Sequence, residues 1–311
     1  HPEIETYADT DGFSNGLYVS GDYAYVADGG AGLAVIDIST PTSPVIKDYA
    51  DTDGYAYDVY VSGDYAYVAD GSAGLAVIDI STPTSPEIKD YANTDGTSIV
   101  VYVEGDYAYV ADSGSGLAVI DISTPSSPGT PEYADTDGSA YSVCIDGDYA
   151  YVADYHKGLA VIDISDPTDP TKSDPQGSLD EHVYSICVDG NYAFLGGDGL
   201  YAVEISEHID PPTVDFMDTS GNSEGIVVSG DYAYIADGTS GLAIIDIIDP
   251  TNPGTPVYSN TVGDAKDVVI SGDYAYVADG GGGLAVIDIS DPTSPGTPIR
   301  RDTSGDSKGI F

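Results

Sequence analysis

The chain repeats itself. Gly21-Asp22-Tyr23-Ala24-Tyr25-Val26-Ala27-Asp28, with Gly32-Leu33-Ala34-Val35-Ile36-Asp37-Ile38 close behind, returns in near-identical form at Gly63, Gly105, Gly147, Gly190, Gly230 and Gly272. The seven starts are spaced by 42, 42, 42, 43, 40 and 42 residues. A fixed period of this length marks a repeat architecture, and it narrows the fold before any single residue is weighed.

Within the first copy, Tyr23 to Ala27 is a five-residue run of aromatic, β-branched and small side chains, which suits a strand. Gly21-Asp22 ahead of it supplies a tight turn. Residues 33–38 give another strand, on which Leu33 and Val35 face one way and Ala34, Ile36 and Ile38 the other. Both faces are apolar, so both must be covered. Pro41 and Pro44 end that strand, because proline cannot donate to a ladder. Residues 45–49 follow as an outer strand carrying Lys47 and Asp48, and residues 17–20 complete the set. No stretch has helical periodicity. A four-stranded leaflet with two apolar faces needs a neighbour on each side, and a closed ring provides two to every leaflet. An open solenoid would need polar end caps, yet the seventh copy (272–289) is as apolar as the second. The expectation is all-β: one domain over residues 1–311, a seven-bladed β-propeller of four-stranded antiparallel blades.

These repeats resemble the LVIVD-repeat family of β-propellers, through Leu33-Ala34-Val35-Ile36-Asp37, the Gly-Asp-Tyr-Ala-Tyr-Val-Ala stretch, and the Asp-Pro-Thr-x-Pro loops at Asp166 and Asp291. The resemblance covers nearly the whole chain. It implies a secreted or surface-attached bacterial or archaeal protein, and it carries over no catalytic residues.

The 311 residues include 53 acidic and 8 basic side chains, a formal net charge of −45. Such a surface repels phosphate backbones and anionic lipid, which excludes nucleic-acid partners and a basic membrane-binding patch. No apolar run has membrane-spanning length, and direct membrane insertion is not expected. The acidity has two readings: a hydrated surface suited to salty or extracellular water, or divalent-cation binding by clustered carboxylates. Much of the charge lies at turn positions where aspartate has a local structural job, which favours the first. The second rests on Asp51 and Asp53 of an Asp-Thr-Asp-Gly loop together with Asp70, which makes calcium the one cofactor to consider. Cys144 and Cys187 occupy equivalent places on neighbouring inner strands, where side chains point the same way around the ring, so free thiols are expected.

Repeats one to three are nearly interchangeable; repeats four and five are not. The second loop of repeat four reads Asp154-Tyr155-His156-Lys157-Gly158. Asp174-Pro175-Gln176-Gly177 and Asp180-Glu181-His182 replace the usual approach to the fifth inner strand, and Leu195-Gly196-Gly197-Asp198 departs from the Ala-Asp-Gly pattern. Alternation places His156 and the Asp180, Glu181, His182 segment at one end of the ring in adjacent blades, where they would converge on a cation or polar ligand. The competing reading is solvated loop drift. The residue six before each repeat glycine also varies: Asn15, Tyr57, Ile99, Tyr141, Tyr184, Glu224 and Lys266. It opens the inner strand near the channel mouth, so Tyr57, Tyr141 and Tyr184 are candidates for a ligand rim. Arginine occurs only at 300 and 301 and tryptophan not at all. The arginine clusters and tryptophan-based blades of propeller enzymes are therefore missing, and no catalytic activity is expected.

Residues 4–12 and 297–305 carry the same outer-strand pattern, and residues 308–311 begin an eighth inner strand. Seven blades need seven outer strands; this chain encodes eight. One terminus closes the last blade, and the other, through Ile4 and Tyr7 or through Ile299, Ile310 and Phe311, is free to add to another sheet edge. The functional expectation is an extracellular or cell-surface structural or adhesive protein. It would self-associate by strand addition into a filament or layer, or bind other surface proteins and glycans. The alternative is a ligand- or calcium-binding module using the end of the ring that carries the blade-four and blade-five loops.

Overall fold

The computed structural model describes residues 8, 10–41, 43–173, 182–206 and 214–297. Six sheets have four antiparallel strands each and a seventh has three, with sequence-adjacent strands paired throughout. In blade one these are the inner strand Gly16–Ser20, then Tyr23–Ala27, Leu33–Asp37 and the outer strand Val45–Ala50. No helix occurs among the described residues.

Register places Ala8 beside the third strand of the last blade. In blades one, two, three and six the first residue of the third strand pairs with the last residue of the outer strand: Leu33 with Ala50, Leu75 with Ala92, Leu117 with Ala134, Leu242 with Ser259. In blade seven Leu284 pairs with Ala8, and its N–H donates to the Ala8 carbonyl at 3.2 Å. Ala8 thus stands at the fourth-strand place of the last blade. Ile4, Tyr7, Ile299, Ile310 and Phe311, the proposed assembly positions, lie outside the described residues.

The core confirms closure. Seven apolar clusters each straddle a junction between two blades, including one in which Tyr276, Leu284 and Val286 of blade seven meet Leu17, Val26 and Ile36 of blade one. An open stack would have one cluster fewer than it has blades. Burying both faces of every leaflet is what makes individually unstable sheets stable together. Between blades, the loop after each second strand bridges the linker entering the next blade, as Gly29 does with Ala56 and Gly71 with Ser98.

Candidate ligand site at the channel mouth

The linkers that form the mouth are pinned from below by a recurring clasp. Asp70, fully buried, accepts from the Thr52 hydroxyl at 2.7 Å and the Gly54 N–H at 2.8 Å. Asp28 does the same with Thr10 and Gly12, and Asp237 with Thr219 and Gly221. A short carboxylate suits a threonine hydroxyl and a glycine N–H two residues apart, and a Cβ at Gly54 would strike the Asp70 carbonyl. Burial raises the carboxyl pKa of Asp28, Asp70, Asp112 and Asp279, and their hydrogen bonds offset this only in part. Of the calcium candidates, Asp51 and Asp53 are exposed on the linker, while Asp70 sits beneath it, occupied by Thr52 and Gly54. Among the described residues no three His, Cys, Asp or Glu side chains gather as a metal site.

Blade four breaks the pattern. Its linker residue Asp137 takes a left-handed φ of 69° and pairs with Lys172. Asp154 keeps its bond from Thr136, but its Oδ2 is buried with no partner. Burial pushes this carboxyl up to about 6. The next residue, Tyr155, has φ +36°, at a place where blades one, two, six and seven use Gly29, Gly71, Gly238 and Gly280. A left-handed backbone costs a bulky L-residue roughly 1–2 kcal/mol. Such strain persists where the surroundings impose it, and it concentrates at functional positions.

What the strain positions is an aromatic cluster. The Tyr155 ring stacks on His182 at 4.7 Å and lies 5.1 Å from Tyr141, 5.4 Å from Tyr184 and 3.8 Å from His156. His156 and His182, from adjacent blades, stand 4.5 Å apart. The two histidine loops therefore do meet at one end of the ring. Asp180 and Glu181 lie outside the described residues. Sequence reasoning singled out the histidines of this loop but not Tyr155, the ring at its centre.

The cluster borders a cavity of about 840 Å³ at the channel mouth. Tyr57, Tyr141 and Tyr184 all stand on its wall, as do Asn15, Ile99, Glu224 and Lys266. Tyr55 adds a further ring 4.9 Å from Tyr57. Across from the aromatic arc, Lys266 bridges Glu224 at 2.7 Å and Asp264 at 2.9 Å. Burial opposes the lysine charge, but these two carboxylates outweigh it and raise its pKa.

One level deeper, Asp58 and Asp267 face the lumen. Asp58 Oδ2 accepts from the Val101 N–H at 3.0 Å and Asp267 Oδ2 from the Leu17 N–H at 2.9 Å, so each caps the inner strand of the following blade. A Cβ on Gly16 would collide with Asp58, and one on Gly225 would crowd Asp267. Half-exposed to the channel but walled by protein on every other side, both carboxyls are pushed up, by burial first and for Asp58 also by the Asp267 charge. Below them Tyr18, Tyr60 and Tyr102 pack in series at 4.7 and 5.1 Å. Cys144 and Cys187 continue that tier as free thiols. Interaction with the Cys187 thiol, then burial, raises the Cys144 pKa.

The model of the LVIVD repeat matches residues 11–52, 53–94, 95–136, 137–174, 181–218, 220–260 and 262–303. The chain belongs to the LVIVD repeat family. No curated protein matches this LVIVD chain in sequence. Among solved structures it resembles the WD40 repeats of RRP9 (TM-score 0.68, 11% identity, covering 89% of this chain and 93% of that one). It also resembles the computationally designed Ika8 protein (0.64, 10%, 91% and 98%) and BamB from Moraxella catarrhalis (0.56, 16%, 88% and 80%). At these identities the likeness is one of fold.

One further motif in this LVIVD propeller has the spacing of a hydrolase nucleophile. Gly221-Asn222-Ser223-Glu224-Gly225 reads Gly-x-Ser-x-Gly. Ser223 is fully buried, its hydroxyl lies between Thr219 and Asp237, and a strand rather than a helix follows. It belongs to the clasp, not to the exposed elbow that motif requires.

Proposed function

We propose that this propeller is a non-enzymatic binding module, displayed extracellularly or at a cell surface, that engages its ligand through the channel mouth. The observation that carries this reading is local. Between blades four and five, where the uniform repeat is abandoned, five aromatic rings assemble beside the cavity, held by a left-handed Tyr155 above a buried, half-satisfied Asp154. Uniform blades would have been satisfied by glycine there. The WD40 repeats of RRP9 and BamB share the scaffold and name no partner for this chain. The test is an NMR titration with two probes, 1,5-diaminopentane and maltotriose. At least one is expected to shift Tyr141, Tyr155 and Tyr184 while leaving the turns at the opposite end, around Gly21 and Gly63, unmoved. Silence at the mouth with both probes would refute the reading.

Assembly into a filament or layer is a second reading, supported by the Ala8–Leu284 pairing. With Ala8 at the fourth-strand place of blade seven, the outer-strand sequence pattern that recurs at 297–305 would serve strand addition to a neighbouring subunit. Removing residues 298–311 should abolish any polymer seen by electron microscopy. Polymers that survive that deletion would exclude strand addition from this end.

A further inference from the structure

Resting on the mouth as the binding site, we propose that its ligand is an organic cation, an alkylammonium or guanidinium group, whose charged head is received by Asp58 and Asp267 beneath the tyrosine rim.

Two separate features of the cavity lead there. The first is the wall. Tyr55 and Tyr57 on one side and Tyr141 and Tyr184 on the other line the cavity, and Tyr18 and Tyr60 line it deeper in. Ring faces carry the negative end of the aromatic quadrupole and attract cations. The second is what lies between the rings. Asp58 and Asp267 each accept backbone N–H groups but have no cationic partner among the described residues, since Lys266 is spent on Glu224 and Asp264. Two carboxyl groups facing a lumen and held near one another resist being ionised together, and a cation bound between them favours the charged form of both.

The arrangement is also built rather than incidental. Around the ring, the position that carries the two aspartates reads Gly225, Asp267, Gly16, Asp58 in four consecutive blades, and each glycine clears the space its neighbouring aspartate occupies. The other three blades have Val100, Ser142 and Ser185 there. The alternative ligand class, a neutral glycan stacked on tyrosine, would use the rim but leaves the twin carboxylates unexplained. Anionic ligands are disfavoured by a net charge of −45.

Isothermal titration of the full chain with 1,5-diaminopentane tests the idea. It should bind saturably at one site, and uncharged 1,5-pentanediol should bind at least about tenfold more weakly. Asp58→Asn and Asp267→Asn should each weaken the diamine by about tenfold while melting stays cooperative. Loose counter-ion attraction would not respond this way, because each variant removes one of 53 acidic residues. Should a variant fail to fold, the diamine-against-diol comparison on the unmodified chain still decides. A parallel titration with a Gly-Lys-Gly peptide, both ends blocked, separates the two sources of such a group. Tight peptide binding assigns it to a lysyl side chain of a partner, and binding of the free diamine alone to a small molecule. Equal affinity for diamine and diol, or diamine binding indifferent to both substitutions, overturns the cation. If maltotriose alone binds, the cation falls and the mouth stands; if nothing binds there, both fall.

Discussion

A single orphaned oxygen in blade four makes Asp154 the most informative residue for stability. Its carboxyl is held at about 6 against an ordinary 3.8, so the native state keeps a proton that the unfolded chain releases. The sign follows directly: the contribution is fully present below the ordinary carboxylate range and is lost as pH rises through about 6. Asp154→Asn removes the charge while keeping an acceptor for Thr136, and it is expected to stabilise by about 1–3 kcal/mol at pH 7 and by almost nothing at pH 4. Urea unfolding at the two pH values measures this, and a difference independent of pH would refute it. Tyr155 gives a second, opposite kind of signal. Tyr155→Gly relieves a left-handed backbone at the expense of the ring contacts to Tyr141, Tyr184 and His182. The melting temperature should hold or rise while binding at the mouth is lost, the trade expected of a functional aromatic. A fall in melting temperature of several degrees would mark the ring as packing instead.

At the scale of the element, the clasp between a linker and the loop after the second strand carries much of each blade's definition. Thr52→Val leaves a buried Asp70 oxygen without its hydroxyl, at a cost of about 1–3 kcal/mol. Since that loss raises the Asp70 carboxyl further, it should be larger at pH 7 than at pH 4, as paired melts would show; equal losses would mean the hydroxyl matters only for packing. The blades themselves were legible in the period and in the two-faced apolar strands, because neither depends on long-range pairing. The clasp was only half legible: each aspartate read as a turn residue, but its threonine lies 18 positions earlier, across a blade junction. Blade five shows the dependence from within one chain, since Gly197 stands in the aspartate's place and the Thr-x-Gly approach is missing there too. The meeting of the histidine loops could be anticipated from alternation. The tier of Asp58 and Asp267 could not, because its members are spread over four blades and look like ordinary strand openings. The sequence pattern left ring closure between two termini; among the described residues it is Ala8 that pairs with Leu284, a contact no local pattern announces.

Across the whole molecule the raised carboxyls act in concert with the surface charge. Burial lifts Asp28, Asp70, Asp112, Asp154 and Asp279, and the lumenal Asp58 and Asp267 as well. Each binds a proton in the native state at a pH where the unfolded chain does not, so stability falls as pH climbs above the ordinary carboxylate range. Self-repulsion of a chain at −45 pushes in the same direction. The opposing groups are weaker. Asp37, capped by Ser39 and paired with Lys47, is drawn down to about 2, and Asp79, Asp121 and Asp163 are drawn down by equivalent serine caps. Being near water they are screened, and their contribution fades only as pH falls below the ordinary carboxylate range. The stability maximum is therefore expected near pH 4–5, below the usual range of about 5–8. At pH 7, about 1 M sodium chloride should raise the melting temperature by screening, and at pH 4.5 the same salt should do much less. Calorimetry over pH 3.5 to 8 at low and high salt separates the two causes. A maximum that moves to neutral pH in high salt would assign the effect to surface repulsion, whereas one that stays acidic assigns it to the buried aspartates beneath the linkers and in the channel.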